Sequence, residues 1–257
     1  MLDATKAYEF TIGFGVQTDT LDLEGVEIAT SAVRPTLADV EAILARFTGP
    51  IEQVPPAYSA LKVDGERAYD LARSGIEVEL KPRSVTIFSL CVSAPRHEQN
   101  NLAQSRTGAE KIDQITLSAT VSKGTYIRSL ARDIALALGT VGHVTMLRRT
   151  KAGPFGLAQA ISLDFLDDAA KARALTRVVL PLIAGLDDIP ALPVTPDQAL
   201  QLRQGKRLAG NPAEGPHQST TLMGLKPGLY LATDATRPVA LVEVSAGDVS
   251  VVRGFNV

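Results

Sequence analysis

The sequence predicts an α+β chain that ends in a small β-rich domain. Apolar and polar residues alternate through Tyr8–Phe14, and Ser84–Val92 and Ile115–Val121 also have strand texture. After Pro35 and again after Gly124, apolar residues instead recur at helical spacing. Near residue 189 prolines and short strands take over, which places a domain boundary there and divides the chain into 1–188 and 189–257.

Tyr8–Phe14 is the first strand, and a polar loop, Gln17–Gly25, follows it. Thr36 with Asp39 three residues later forms a capping box for a helix carrying Val40, Ile43, Leu44 and Phe47, which Gly49-Pro50 ends. Val54-Pro-Pro-Ala57 is extended, because two prolines remove donors and restrict the residues before them. A short helix at Glu66–Arg73 closes on Gly75. The next two strands, Ser84–Val92 and Ile115–Val121, flank a polar connection that is the most dispensable-looking part of the chain. Gly124 turns the chain into a helix whose stripe is Ile127, Leu130, Ala131, Ile134 and Leu138, ended by Gly139. A strand at Val144–Arg149 stops near Gly153-Pro154, and a helix capped by Ser162 is expected over 162–184. Behind the boundary, Thr195 and Pro196 open a helix. Strands follow at Leu229–Ala232, Val239–Val244 and Val249–Val252.

Of the 257 residues, 45% are hydrophobic and 21% charged, the balance of a globular chain rather than a disordered one. No apolar run approaches the roughly 18 residues of a membrane span. The single cysteine, Cys91, cannot form an internal disulfide and points to a reducing, cytoplasmic setting. One cysteine and three scattered histidines offer no metal cluster. A net charge of −2 excludes a whole-molecule field that attracts polyanions. Locally, however, residues 123–153 carry six basic side chains against one acidic, whereas residues 1–61 carry three against nine. The basic stretch reads equally as a phosphate-facing surface or as a solvated helix face.

Walker-type and G-x-G-x-x-G loops are absent, and the histidines have no nucleophile context. Two segments carry chemistry instead. Thr18-Asp-Thr-Leu-Asp22 places two carboxylates after a strand. Ser122-Lys-Gly-Thr-Tyr-Ile-Arg128 places cations and an aromatic ring at a strand-to-helix turn, a composition able to bind phosphate and stack on bases.

Taken in order, five segments are specific: Lys6-Ala-Tyr8; Gly15–Thr20 with Asp22 and Gly25; Gln53–Lys62; Ser122–Arg128; and Gly142–Arg149. Together they resemble the bacterial TruB family of tRNA pseudouridine synthases, strongly over residues 1 to about 188. Residues 190–257 look like the family's small carboxyl-terminal, PUA-like RNA-binding module.

The resemblance implies a bent, mixed but mainly antiparallel sheet flanked by helices, with tRNA held in a cleft. It implies cofactor-free and metal-free isomerisation of the T-loop uridine at position 55, after that base is flipped from the loop. It also implies a monomer that does not engage membranes. Tyr8 matches the family's active-site tyrosine, a ring for stacking with an oxygen for proton transfer. Arg148 matches the arginine that pairs with the catalytic aspartate. Lys62, Lys123, Tyr126 and Arg128 match RNA-contact segments, and Asp19 and Asp22 match carboxylates that shape their loop.

The family's catalytic aspartate lies in a G-x-x-D-P motif upstream of the tyrosine segment, and no such motif occurs in this sequence. Asp3 lacks that framing. The expectation is therefore an amino-terminally incomplete synthase domain, open to three readings. The recorded start can be wrong, the chain can be an inactive fragment, or it can be a tRNA-binding module without catalysis.

Overall fold

The computed structural model describes residues 4–63, 65–76, 80–93, 110–186, 188–208, 225–235 and 237–255. The chain divides into two compact units, Leu2–Gln159 and Ala160–Val257.

In the first unit β1 (Lys6–Phe14) bends at Gly15, which has a positive φ of 94°, into β2 (Val16–Thr18), which pairs with β3 (Glu27–Thr30) in a separate ribbon. Helix α1 (Leu37–Leu44) starts on the expected capping box, Thr36 with Asp39. Gly49-Pro50 does not merely stop that helix. It opens a strand, β4 (Gly49–Gln53), at the edge of the sheet, the position where a strand tolerates proline.

A two-residue ribbon, β5 (Lys62–Val63) with β6 (Glu66–Arg67), leads into α2 (Ala68–Arg73). Then come β7 (Arg83–Val92), β8 (Gln114–Val121), α3 (Ile127–Ala137), β9 (Gly142–Ala152) and β10 (Phe155–Gly156). The polar connection at 94–109, with His97, lies outside the described residues.

These strands form a six-stranded sheet in the order β10-β9-β1-β8-β7-β4, with every neighbouring pair antiparallel. β1 is central and buried, with Phe10 and Ile12 at 0% exposure. Helix α3 packs against β1 and β9 through Ile127, Leu130, Ala131, Ile134 and Ala135, all buried, which bears out the helical stripe. The isoleucine and leucine side chains each contribute about 1.5–3 kcal/mol by leaving water.

In the second unit, α4 (Leu163–Lys171) starts on the Ser162 cap but is shorter than the expected helix. Arg173 has a positive φ of 54°, which breaks the helical path, and Pro181 lacks an amide donor; short 3-10 turns replace the remainder. β11 (Ala191–Pro193) pairs in parallel with β12 (Gly228–Asp234), which continues antiparallel through β13 (Arg237–Ser245) to β14 (Asp248–Gly254). α5 (Pro196–Arg203) carries a Thr195–Gln198 capping box and buries Ala199 and Leu202 in a core with Leu192, Val239 and Val242. Among the described residues, no helix is long and apolar enough to cross a membrane.

Candidate active site

Arg128, in the first turn of α3, holds the site together. Its Nη1 donates to Asp22 Oδ2 at 2.8 Å and to the Thr20 carbonyl at 3.0 Å, and its Nη2 donates to the Tyr58 carbonyl at 2.8 Å. One side chain thus ties the acidic loop to the Pro-Pro segment and to the helix that carries it.

The loop is closed by its own carboxylates. Asp22 Oδ1 accepts from Thr20 Oγ1 and from the Glu24 amide, and Leu21 takes a positive φ of 64°. Asp19 Oδ1 accepts from the Val26 amide, and its Oδ2 accepts from the Tyr58 hydroxyl at 3.1 Å. That hydroxyl's bond to Asp19 raises the Tyr58 pKa above its ordinary value of 10.0.

Tyr126 precedes α3 and is clamped by a buried amide. The Tyr126 N–H donates to Gln53 Oε1 at 2.8 Å, and Gln53 Nε2 donates to the Tyr126 carbonyl at 3.1 Å. The Arg83 guanidinium lies 5.9 Å from the Tyr126 ring centroid. Lys123 is exposed on the Gly124 turn, and Lys62 is exposed on the β5–β6 ribbon.

An open cleft of about 480 Å³ is lined by Asp22–Glu24, Arg128 and Val144–Leu147. Leu147 stands opposite Phe10 in the sheet, so it shares a face with Tyr8, two residues along β1. Tyr8 is 7% exposed and lies across from Arg149, whose Nε donates to the phenol oxygen at 3.1 Å. Arg148 is exposed and stands opposite Glu9, on the other face of the sheet from Tyr8. The two adjacent arginines are therefore separated by the sheet, and only Arg149 reaches the tyrosine.

The structure brings Asp22 and Arg128 together and ties Asp19 to Tyr58 beside them. Sequence reasoning did not single out Arg149, Tyr58 or Gln53. The signal for Tyr58 and Gln53 was present, since both lie in the Gln53–Lys62 segment, but their partners are more than 30 residues away. Arg149 follows Arg148 directly, and no local pattern separates the pair. Among the described residues no three His, Cys, Asp or Glu side chains gather as a metal site.

The sequence matches the family model for the TruB family pseudouridylate synthase N-terminal domain over residues 1–127. It matches the tRNA pseudouridylate synthase B C-terminal domain over residues 128–187. A protein named tRNA pseudouridine synthase B from Novosphingobium aromaticivorans is 56% identical over 257 residues, covering 100% of this chain and 77% of that protein. One of the same name from Zymomonas mobilis is 48% identical, over 99% of this chain and 75% of that protein. Among solved structures, an H/ACA RNP bound to a substrate RNA containing 2'-deoxyuridine aligns with TM-score 0.64 and 18% identity, over 99% of this chain and 67% of that one. A Cbf5-Nop10-Gar1 complex aligns with TM-score 0.61 and 21% identity, over 95% of this chain and 61% of that one. These two share the fold.

Proposed function

The chain belongs to the TruB family of tRNA pseudouridine synthases, and we propose that it acts on the T-loop uridine at position 55 of tRNA. The base is flipped from its stack into the cleft, its glycosidic bond is broken, and it is rejoined to the ribose through carbon. No cofactor takes part. The carrying observation is the shared sheet face on which Tyr8 lies next to a cleft lined by Arg128 and Leu147. A phenol there offers a ring for the uracil face and an oxygen for proton transfer.

Arg128 is committed through three N–H groups, which leaves its Nε–H and one Nη2–H for an anion in the cleft. That placement favours Arg128 over Arg148 as the cation that meets a catalytic carboxylate. Lys62, Lys123 and Tyr126 act as contacts to the RNA backbone and bases. Asp19 and Asp22 shape the loop that faces the RNA. The segment 189–257 serves as a PUA-like RNA-binding domain behind a synthase domain at 1–188, and the protein works as a cytoplasmic monomer.

A second reading, tRNA binding without catalysis, is served equally well by the exposed cations Lys62 and Lys123. One assay separates the two. A tRNA transcript tritiated at C5 of uridine releases tritium as that carbon joins the ribose. Release of about one equivalent per tRNA, lost when the T-loop uridine is replaced by cytidine, supports the isomerase. Salt-dependent binding without release supports the binding module. Neither binding nor release would overturn both.

A further inference from the structure

Tyr8 does not meet its arginine by simple strand alternation. Ala7 stands opposite Lys151, so an unbroken ladder would put Tyr8 opposite Thr150. A bulge in β9 at this point skips Thr150 and sets Arg149 across from Tyr8. Bulges re-aim side chains in this way and are frequent beside active sites. A second bulge, near Thr145, falls where β9 lines the cleft.

The contact that results has two parts. Arg149 Nε donates to the Tyr8 oxygen at 3.1 Å, and its guanidinium carbon lies 5.2 Å from the ring centroid. Among the described residues Arg149 has no carboxylate partner, and the Tyr8 oxygen has no other hydrogen-bond partner. A guanidinium stays protonated and cannot exchange a proton with the phenol. Its N–H directs the phenol, occupying one lone pair and fixing where the O–H and the other lone pair face.

We propose that Arg149 is a positioning residue for Tyr8, holding the phenol oxygen in one orientation toward the neighbouring cleft. This rests on the synthase reading of the site for its catalytic consequence, but the hold on Tyr8 is a property of the protein alone.

The test uses this chain with its five tyrosines ring-labelled with 13C, the Tyr8 signals being assigned by loss in Tyr8→Phe. Arg149→Gln and Arg149→Lys are compared with Lys151→Gln, which removes an equal charge from the same strand. Thermal melts confirm that each variant folds. The expected result is a changed Tyr8 Cζ signal in Arg149→Gln, an intermediate one in Arg149→Lys, and the native signal in Lys151→Gln. A native Tyr8 signal in folded Arg149→Gln overturns the proposal, whether or not any pseudouridine forms. Single-turnover kinetics then test the consequence: Arg149→Gln is expected to slow pseudouridine formation about tenfold at saturating tRNA, with affinity unchanged. A loss confined to affinity would make Arg149 an RNA contact and overturn the positioning role. Absence of turnover in the wild type would count against the synthase reading alone, since the Tyr8 signal still decides the hold.

Discussion

Arg128 and Asp22 form a half-buried ion pair at 2.8 Å, with side-chain exposures of 24% and 27%, that joins the first turn of α3 to the loop after β2. Breaking it from either side has different consequences. Arg128→Ala removes three hydrogen bonds that bridge two loops, whereas Asp22→Asn leaves a cation short of its counter-charge. Hydrogen bonds to charged groups contribute about 1.5–3 kcal/mol each, and partial exposure reduces the value of this pair. Arg128→Ala is expected to weaken tRNA binding and raise amide exchange across residues 18–25. If Arg128 also neutralises a phosphate, the salt dependence of binding falls by about one unit of slope. An unchanged affinity would remove Arg128 from the interface.

Tyr8→Phe separates the ring from its oxygen. The ring still fills its buried place, so stability and tRNA affinity are expected to stay near wild type while turnover falls about 100-fold or more. Loss of affinity in step with turnover would show that Tyr8 serves binding instead.

Gly25 is sterically required. A Cβ there would lie 2.3 Å from both Asp19 Oδ1 and Thr20 Oγ1 and 2.8 Å from the Thr20 amide nitrogen, so Gly25→Ala must open the loop. The expected outcome is lower tRNA affinity together with faster exchange at the Val26 amide, which is bonded to Asp19. Wild-type exchange at Val26 would refute this account of the loop.

Two groups have displaced titrations of opposite sign. The hydrogen bond to Asp19 raises the Tyr58 pKa above 10.0, so the contribution of this bond to stability is complete below pH 10 and is lost as pH rises through the folded value. The Thr36 backbone and hydroxyl lower the Asp39 pKa below 3.8, so the α1 cap contributes above that pH and is lost as pH falls through the folded value. Alkaline absorbance titration of Asp19→Asn should show Tyr58 ionising earlier. In acid, Asp39→Asn should remove the pH dependence of α1 melting.

Thr195→Ala removes the hydroxyl that accepts from the Gln198 amide at the start of α5. A cost of about 1 kcal/mol is typical for such a cap. Denaturant melts should show it, with exchange rising first at α5 amides. No change in either would mean that packing of Ala199 and Leu202 alone holds the helix.

Local order was legible where it depends on near neighbours. The Thr36, Ser162 and Thr195 caps and the α3 stripe all appear where their patterns lie. Expectations weakened where a short-range signal had two outcomes: Gly49-Pro50 opens an edge strand, and the helix after Ser162 ends at Lys171. The motifs marked the residues of the site but not their pairings. Asp19 and Asp22 were legible as loop-shaping carboxylates, yet nothing local showed that Tyr58 and Arg128 bind them from 39 and 106 residues away.

The sequence by itself determined the family, the principal strands β1, β7, β8 and β9 with the helices α1 and α3 between them, and the segments that build the cleft. Helix caps, period-two alternation and motif spacing are short-range properties written along the chain. Tertiary structure alone decided which of two adjacent arginines serves Tyr8. In a strand neighbouring side chains point to opposite faces, so register settles the choice, and a one-residue bulge at Thr150 sets that register. Pairing between strands 141 residues apart is fixed only when the sheet forms.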